Sequence, residues 1–286
     1  MLMEVTLEGS RTPIEREVFV DLFDNSVVHG RAPYLRALET MDIAFTELVD
    51  LARKADIPYV LFFAPRALVQ AQLTTKTNKL LQGVTKETFS LNSRATVELR
   101  DVELIVKDLL RKQMLLRRHD STLVKNPIAG LLSGSRHTVQ EDAEALLGAL
   151  SLGAGSIGGA RNKGAALELL ITHLEARQVL VSRSVRGFMP QLLQVKFSGM
   201  TVRDPKVPYI FLAGGDHGDS QEPEGRQVFT LTLLAVLVAR GIFGPVTYDG
   251  RSTAPDPGRE YDIVGQILMP SAVVRSMGLR SLAAVK

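Results

Sequence analysis

Apolar and polar positions alternate along this chain with mostly helical spacing. In residues 13–24 Val18, Phe19, Leu22 and Phe23 recur at helical intervals behind Pro13, which suits a first helical position, so the pattern predicts a short amphipathic helix. Residues 33–54 place Leu35, Leu38 and Met41, then Phe45, Leu48, Val49 and Ala52, on apolar faces, with a break near Asp42 and an end at Ile57-Pro58, because a residue before proline disfavours the α region. The compact run Tyr59–Phe63 is too short to assign by periodicity. Val97–Arg118 reads as one long helix with Val102, Ile105, Val106 and Leu109 on its core face. Its acidic residues come early (Glu98, Asp101, Glu103) and its basic ones late (Arg111, Lys112, Arg117, Arg118), as the helix dipole favours.

Thr138 and Glu141 form a capping box opening a helix to about Leu152, since the two side chains satisfy each other's orphan amides. A glycine-rich connection over 153–164 leads to a helix over Ala165–Arg177 and then a strand over Val179–Ser182. Lys206–Ala213 is the clearest strand pattern. A polar loop over Gly214–Gly225, an apolar helix over Arg226–Arg240 and a helix from Arg259 to Met269, ended by Pro270, complete the pattern.

Composition narrows the class without naming a partner. The 286 residues suit two modest domains, and 34 basic against 31 acidic residues leave a net charge of only +3. A sequence pI near 9.1 is compatible with nucleic acid only if cations cluster on one face. With no cysteine the chain can build neither disulfides nor a thiolate metal site, which fits a cytoplasmic protein. The N-terminus lacks the pattern of a secretory leader, and the apolar stretch Leu231–Ala239 falls far short of the roughly 20 residues that span a bilayer, so no membrane association is expected.

Three motifs invite chemistry. Gly153, Gly155 and Gly158 spell GxGxxG, but a dinucleotide cradle follows a strand and here a helix precedes, so the segment reads as a connection. Asp216, His217 and Asp219, with Glu222 and Glu224 nearby, have metal-ligand chemistry in no recognised spacing. A solvated loop ahead of a helix uses the same residues, and an enzyme site near Asp216 and His217 is kept as an alternative. The histidines at 29, 119, 137, 173 and 217 include no pair three or four apart on one helix, as a zinc helix requires.

From Glu47 onward the order of segments resembles regulators in which an Xre-type helix-turn-helix domain is fused to an ImmA/IrrE metallopeptidase domain. The likeness is carried by ELVDLARKADIPYVLFFAP, the long helix ending LLRKQ, QVLVSRSVRGF, FSGMTVRDPKVPYIFLAGGD, RQVFTLTLLAVLV and REYDIVGQILMPSAVVR. Phe229-Thr230-Leu231 and Leu268-Met269-Pro270 are its most specific parts. The family's active helix carries His-Glu-x-x-His, in which two histidines hold zinc and the glutamate activates water. By this likeness the histidine positions fall on Leu233 and Leu237, the glutamate on Leu234, the third ligand on Arg259 and the strand-end asparagine on Ala213.

The resemblance implies an α+β protein: a mostly helical N-terminal part and a zincin-like C-terminal domain, with a degenerate helix-turn-helix-like domain over 1–95, a connecting helix over 96–125 and a pseudo-peptidase domain over 126–286. It implies a non-catalytic transcription regulator of phage or mobile-element type, without catalytic or metal-ligating residues and without a cofactor, whose inactive domain senses or binds a protein. Nucleic-acid binding through Lys76, Lys79, Arg111, Lys112, Arg117 and Arg118 is the rival reading, and self-association through leucine-rich surfaces is a further expectation.

Overall fold

The computed structural model describes residues 1–84, 98–134, 136–184, 197–213, 222–247 and 258–276. It is an α+β fold that divides into two units. Of the described residues, the first comprises Met1–Gln82 and Glu98–Asp108, and the second comprises Gly83, Val84 and those from Leu109 on.

The first unit opens with strands β1 (Leu2–Leu7) and β2 (Ser10–Glu15), an antiparallel hairpin. Glu8 (φ 48°) and Gly9 (φ 84°) both turn left-handed, the backbone of the tight turns whose twist matches paired strands. Helices α1 (Arg16–Asp24) and α2 (Ala32–Thr40) then carry the chain to β3 (Asp42–Ala44), parallel to β1, giving the sheet order β2-β1-β3. The helical pattern of this mostly helical N-terminal part gave no sign of the sheet. Pro13 lies in β2, not at a helix start, because β2 is an edge strand where a missing N–H is tolerated; the helix begins at Arg16.

Helix α3 (Phe45–Lys54), a 3₁₀ turn (Tyr59–Phe63) and α4 (Arg66–Leu81) follow. Their core is aromatic: Phe19 meets Phe23 edge-on at 5.0 Å, Phe62 lies 4.6 Å from Phe23, and buried Tyr34 stacks on Phe19 at 5.6 Å. Burial pushes the Tyr34 hydroxyl above its ordinary range, because the phenolate would be stripped of water. Only Val69 and Leu80 of α4 are buried, which is why that helix left no periodic signal in the sequence.

Helix α5 (Leu99–His119) contributes Val102, Ile105 and Val106 to the first unit, and its residues from Leu109 belong to the second. There the capping box at Thr138 forms as read: the Thr138 hydroxyl accepts from the Glu141 amide and the Glu141 carboxylate accepts from the Thr138 amide, opening α6 (Val139–Ala149). Asn162 caps α7 (Lys163–Glu175), and the glycine segment joins the two helices with Gly155 at φ 81°.

The second sheet has the order β4-β6-β5-β7, from β4 (Leu180–Arg183), β5 (Phe197–Val202), β6 (Tyr209–Leu212) and β7 (Pro245–Thr247). β4 runs parallel to β6, while β5 is antiparallel to both β6 and β7. Helices α8 (Glu224–Arg240), α9 (Arg259–Leu268) and α10 (Ser271–Ser276) complete the unit, with α8 packed on β5, β6, α7 and α9. Buried Asn126 pins the segment before α6: its Nδ2 donates to the Arg177 carbonyl at 2.8 Å and its Oδ1 accepts from the amides of Ile128 and Ala129.

Candidate functional site

Helix α8 carries the positions at which the resemblance would put a metal site. It is apolar around its circumference, the signature of a helix enclosed on all sides, and Val228, Leu231, Leu233, Leu234, Val236 and Val238 are all buried. Gly241 ends it in the left-handed conformation (φ 74°), with its amide bonded back to the last turn. Of the three motif positions, Leu233 and Leu234 are core residues and Leu237 is half-buried against the same core. Leu234 lies over the sheet at Gly199 of β5. A Cβ on that glycine would overlap the Phe211 carbonyl oxygen and come within 2.8 Å of Leu234 Cδ1, so the close approach of helix and strand requires glycine there. Leucine offers no lone pair, and these positions act as packing.

Arg259, where the resemblance puts the third ligand, has the opposite character. Its Nε and Nη2 lie 3.1 and 2.5 Å from Oδ2 of Asp142, a fully buried carboxylate on α6, and Nη2 also donates to the His137 carbonyl. His137 Nδ1 stands 3.7 Å from the other Asp142 oxygen. The guanidinium thus neutralises a charge that could not be buried alone, and it joins the first turn of α9 to α6. One residue on, Glu260 pairs with Arg240 at the end of α8 at 3.3 Å.

A second buried carboxylate escaped the sequence reading, which treated Glu222 as part of a solvated loop. Oε1 of Glu222 accepts from the hydroxyl of buried Ser198 at 3.2 Å and lies 3.9 Å from Arg226 Nε, while Oε2 takes no hydrogen bond among the described residues. Gln227 Nε2 donates to the Glu222 carbonyl at 2.9 Å, fixing the approach to α8. An acidic residue just ahead of a helix was a legible dipole signal; its burial was not.

The six basic residues of the rival reading fall in both units. Lys76 and Lys79 are on α4. Lys76 Nζ lies 2.9 Å from Oε1 of Glu103, a carboxylate 1% exposed, and Lys107 Nζ approaches the same oxygen at 3.0 Å; both contacts are ionic in distance but off-line for hydrogen bonding. Lys107 also meets Asp56 at 3.1 Å, so two cations and two carboxylates form a compensated cluster. Lys79 is exposed. Arg111, Lys112, Arg117 and Arg118 lie on exposed turns at the end of α5, where Arg117 pairs with largely buried Asp204 at 3.1 Å. The structure therefore gathers four of the six on one helix end, and sets Lys76 and Arg117 against internal carboxylates.

Asp216, His217 and Asp219 lie outside the described residues. Among the described residues no three histidine, cysteine, aspartate or glutamate side chains converge as a metal site, and no helix is long and apolar enough to cross a membrane. No protein-family model matches the chain, and no curated protein and no solved structure matches it either.

Proposed function

We propose that the chain is a non-catalytic regulatory protein acting in the cytoplasm, in which a zincin-like domain related to the ImmA/IrrE peptidases has become a sensing or protein-binding module attached to a degenerate helix-turn-helix-like unit. The observation that carries this reading is α8: where zinc and water activation would need two imidazoles and a carboxylate, the helix has Leu233, Leu237 and Leu234, packed in or against the core. Arg259 at the third ligand position supports it, since its guanidinium is engaged by Asp142. On this reading the protein regulates transcription in a phage or mobile element through a protein contact.

The test is elemental zinc analysis of the purified full chain, peptidase assay with and without a chelator, and titration of random duplex DNA at two salt concentrations. The expected result is neither stoichiometric zinc nor cleavage. Zinc together with chelator-sensitive cleavage would overturn the reading. Salt-sensitive DNA binding in a zinc-free sample would assign a DNA-contacting role to the regulator, because phosphate contacts release counterions.

A further inference from the structure

We propose that the outer face of the last turns of α5 docks an acidic, amphipathic helix of a partner protein. This rests on the reading that the chain works through a protein contact, and it names the surface and the chemistry of the partner.

Gln113 orients this part of the helix. It is buried, and its Nε2 donates to the Val207 carbonyl at 2.9 Å and the Val202 carbonyl at 3.4 Å. At 100° per residue, the side opposite Gln113 carries Arg111, Met114, Leu115 and Arg118, spaced i, i+3, i+4 and i+7. All four are exposed, Met114 by 60% and Leu115 by 52%. Two large apolar side chains bracketed along one helix face by arginines have the composition of an interface centre, in which methionine and arginine are enriched. The ion pair of Arg117 with Asp204 ties the same turn to the body of the unit, so the face is presented on a fixed element.

Charge selects the occupant. Two copies of this face laid antiparallel would set Arg111 against Arg118, and laid parallel would set each arginine against itself, so self-pairing is repulsive in both directions. Duplex DNA would engage the arginines and leave Met114 and Leu115 facing phosphates. The apolar strip spans one helical turn, short of the face with which an amphipathic helix enters a bilayer. An acidic helix carrying leucines between glutamates satisfies both halves of the surface.

The experiment titrates the full chain into a labelled helical peptide with leucines at i and i+4 flanked by glutamates, reading anisotropy. Matched peptides carry serine for leucine or lysine for glutamate, and random duplex DNA is run alongside. The proposal expects binding of the leucine–glutamate peptide only, weakened at least about tenfold by Met114→Ser with Leu115→Ser and by Arg118→Glu. These positions are exposed, and unchanged thermal melts will show that the variants fold. The proposal is overturned if the acidic leucine peptide does not bind, if the serine peptide binds equally well, or if the variants bind as the parent does. DNA binding lost in Arg118→Glu but untouched by the serine changes would make the face a nucleic-acid contact instead. A zinc-free, non-cleaving protein that ignores the peptide sinks the docking face alone, whereas zinc-dependent cleavage sinks the reading beneath it.

Discussion

Replacing Leu234 by alanine tests whether the motif positions of α8 are core. The side chain is fully buried, and its Cδ1 lies where a Cβ on Gly199 would crowd it, so truncation removes methyl groups from a place where helix and strand are already in close contact. The backbone of β5 is held on both sides, by β6 and β7, and cannot collapse into the space. Buried leucine truncations that leave such cavities cost about 3–4 kcal/mol. For a unit of this size each kcal/mol moves the midpoint by about 2–4 °C, so the transition of the second unit should fall by roughly 6–16 °C. Leu237→Ala is the internal control: the side chain is half-buried, and its loss should cost about 1 kcal/mol. Circular dichroism melts and urea titrations of the two variants beside the parent make the comparison. Equal midpoints for the two variants, or a loss below about 1 kcal/mol in Leu234→Ala, would refute the placement of α8.

Three further outcomes follow from the charge clusters. Arg259→Ala should cost about 2–3 kcal/mol in urea unfolding, because it removes the guanidinium that neutralises the buried Asp142 carboxylate, and Asp142→Asn less, since Arg259 is about a third exposed and can turn to water; the reverse order would disprove the assignment. Glu103→Gln should destabilise by about 2 kcal/mol, below the usual cost of breaking a buried pair, because Lys107 keeps Asp56 and Lys76 keeps the Asn25 carbonyl; an unchanged urea midpoint would show that the cluster contributes nothing. Thr138→Ala should cost about 0.5–2 kcal/mol at neutral pH through the lost cap. The Thr138 amide, and then its hydroxyl, hold the Glu141 carboxyl below the ordinary glutamate value of 4.5. That contribution is therefore present in full above the ordinary value and is lost as pH falls through the depressed one. The gap between parent and Thr138→Ala should narrow on acidification, and a gap that widens at low pH would contradict the capping box.

Elements that bury one strong stripe, or that carry their own punctuation, were legible. Helix α5 shows a periodic core face, α6 announces itself by Thr138 and Glu141, α9 stops before Pro270, and β6 is a continuous run of buried residues. Strands β2 and β3 of the first unit were not, because β2 is exposed at every position but Ile14 and β3 is three residues long; β1 does alternate, with Met3 and Val5 buried, but over too few residues to stand out. Helix α4 was silent for a related reason, resting on two buried residues. At the candidate site the identity of the motif positions was readable and their surroundings were not. A leucine looks the same in sequence whether it fills a core or covers a surface, and the partner that lets Asp142 be buried lies on another helix, 117 residues away along the chain. Ion pairs at such separations leave no periodic trace, which is why Lys76 read as available for phosphate while its ammonium faces Glu103.

The leucines of α8 also bear on the direction in which such a protein can change. If its ancestor was a zinc peptidase, the way back includes single substitutions that place an imidazole and a carboxylate among leucines and valines at enclosed Leu233 and Leu234, each losing about 1.5–3 kcal/mol of burial before any metal can bind. Ligation rewards only the complete set, while each step is charged to a fold whose whole margin is about 5–15 kcal/mol. On that ancestry the packing of the helix would act as a ratchet: the domain could acquire new partners on its surface, but could not drift back to the older reaction one residue at a time.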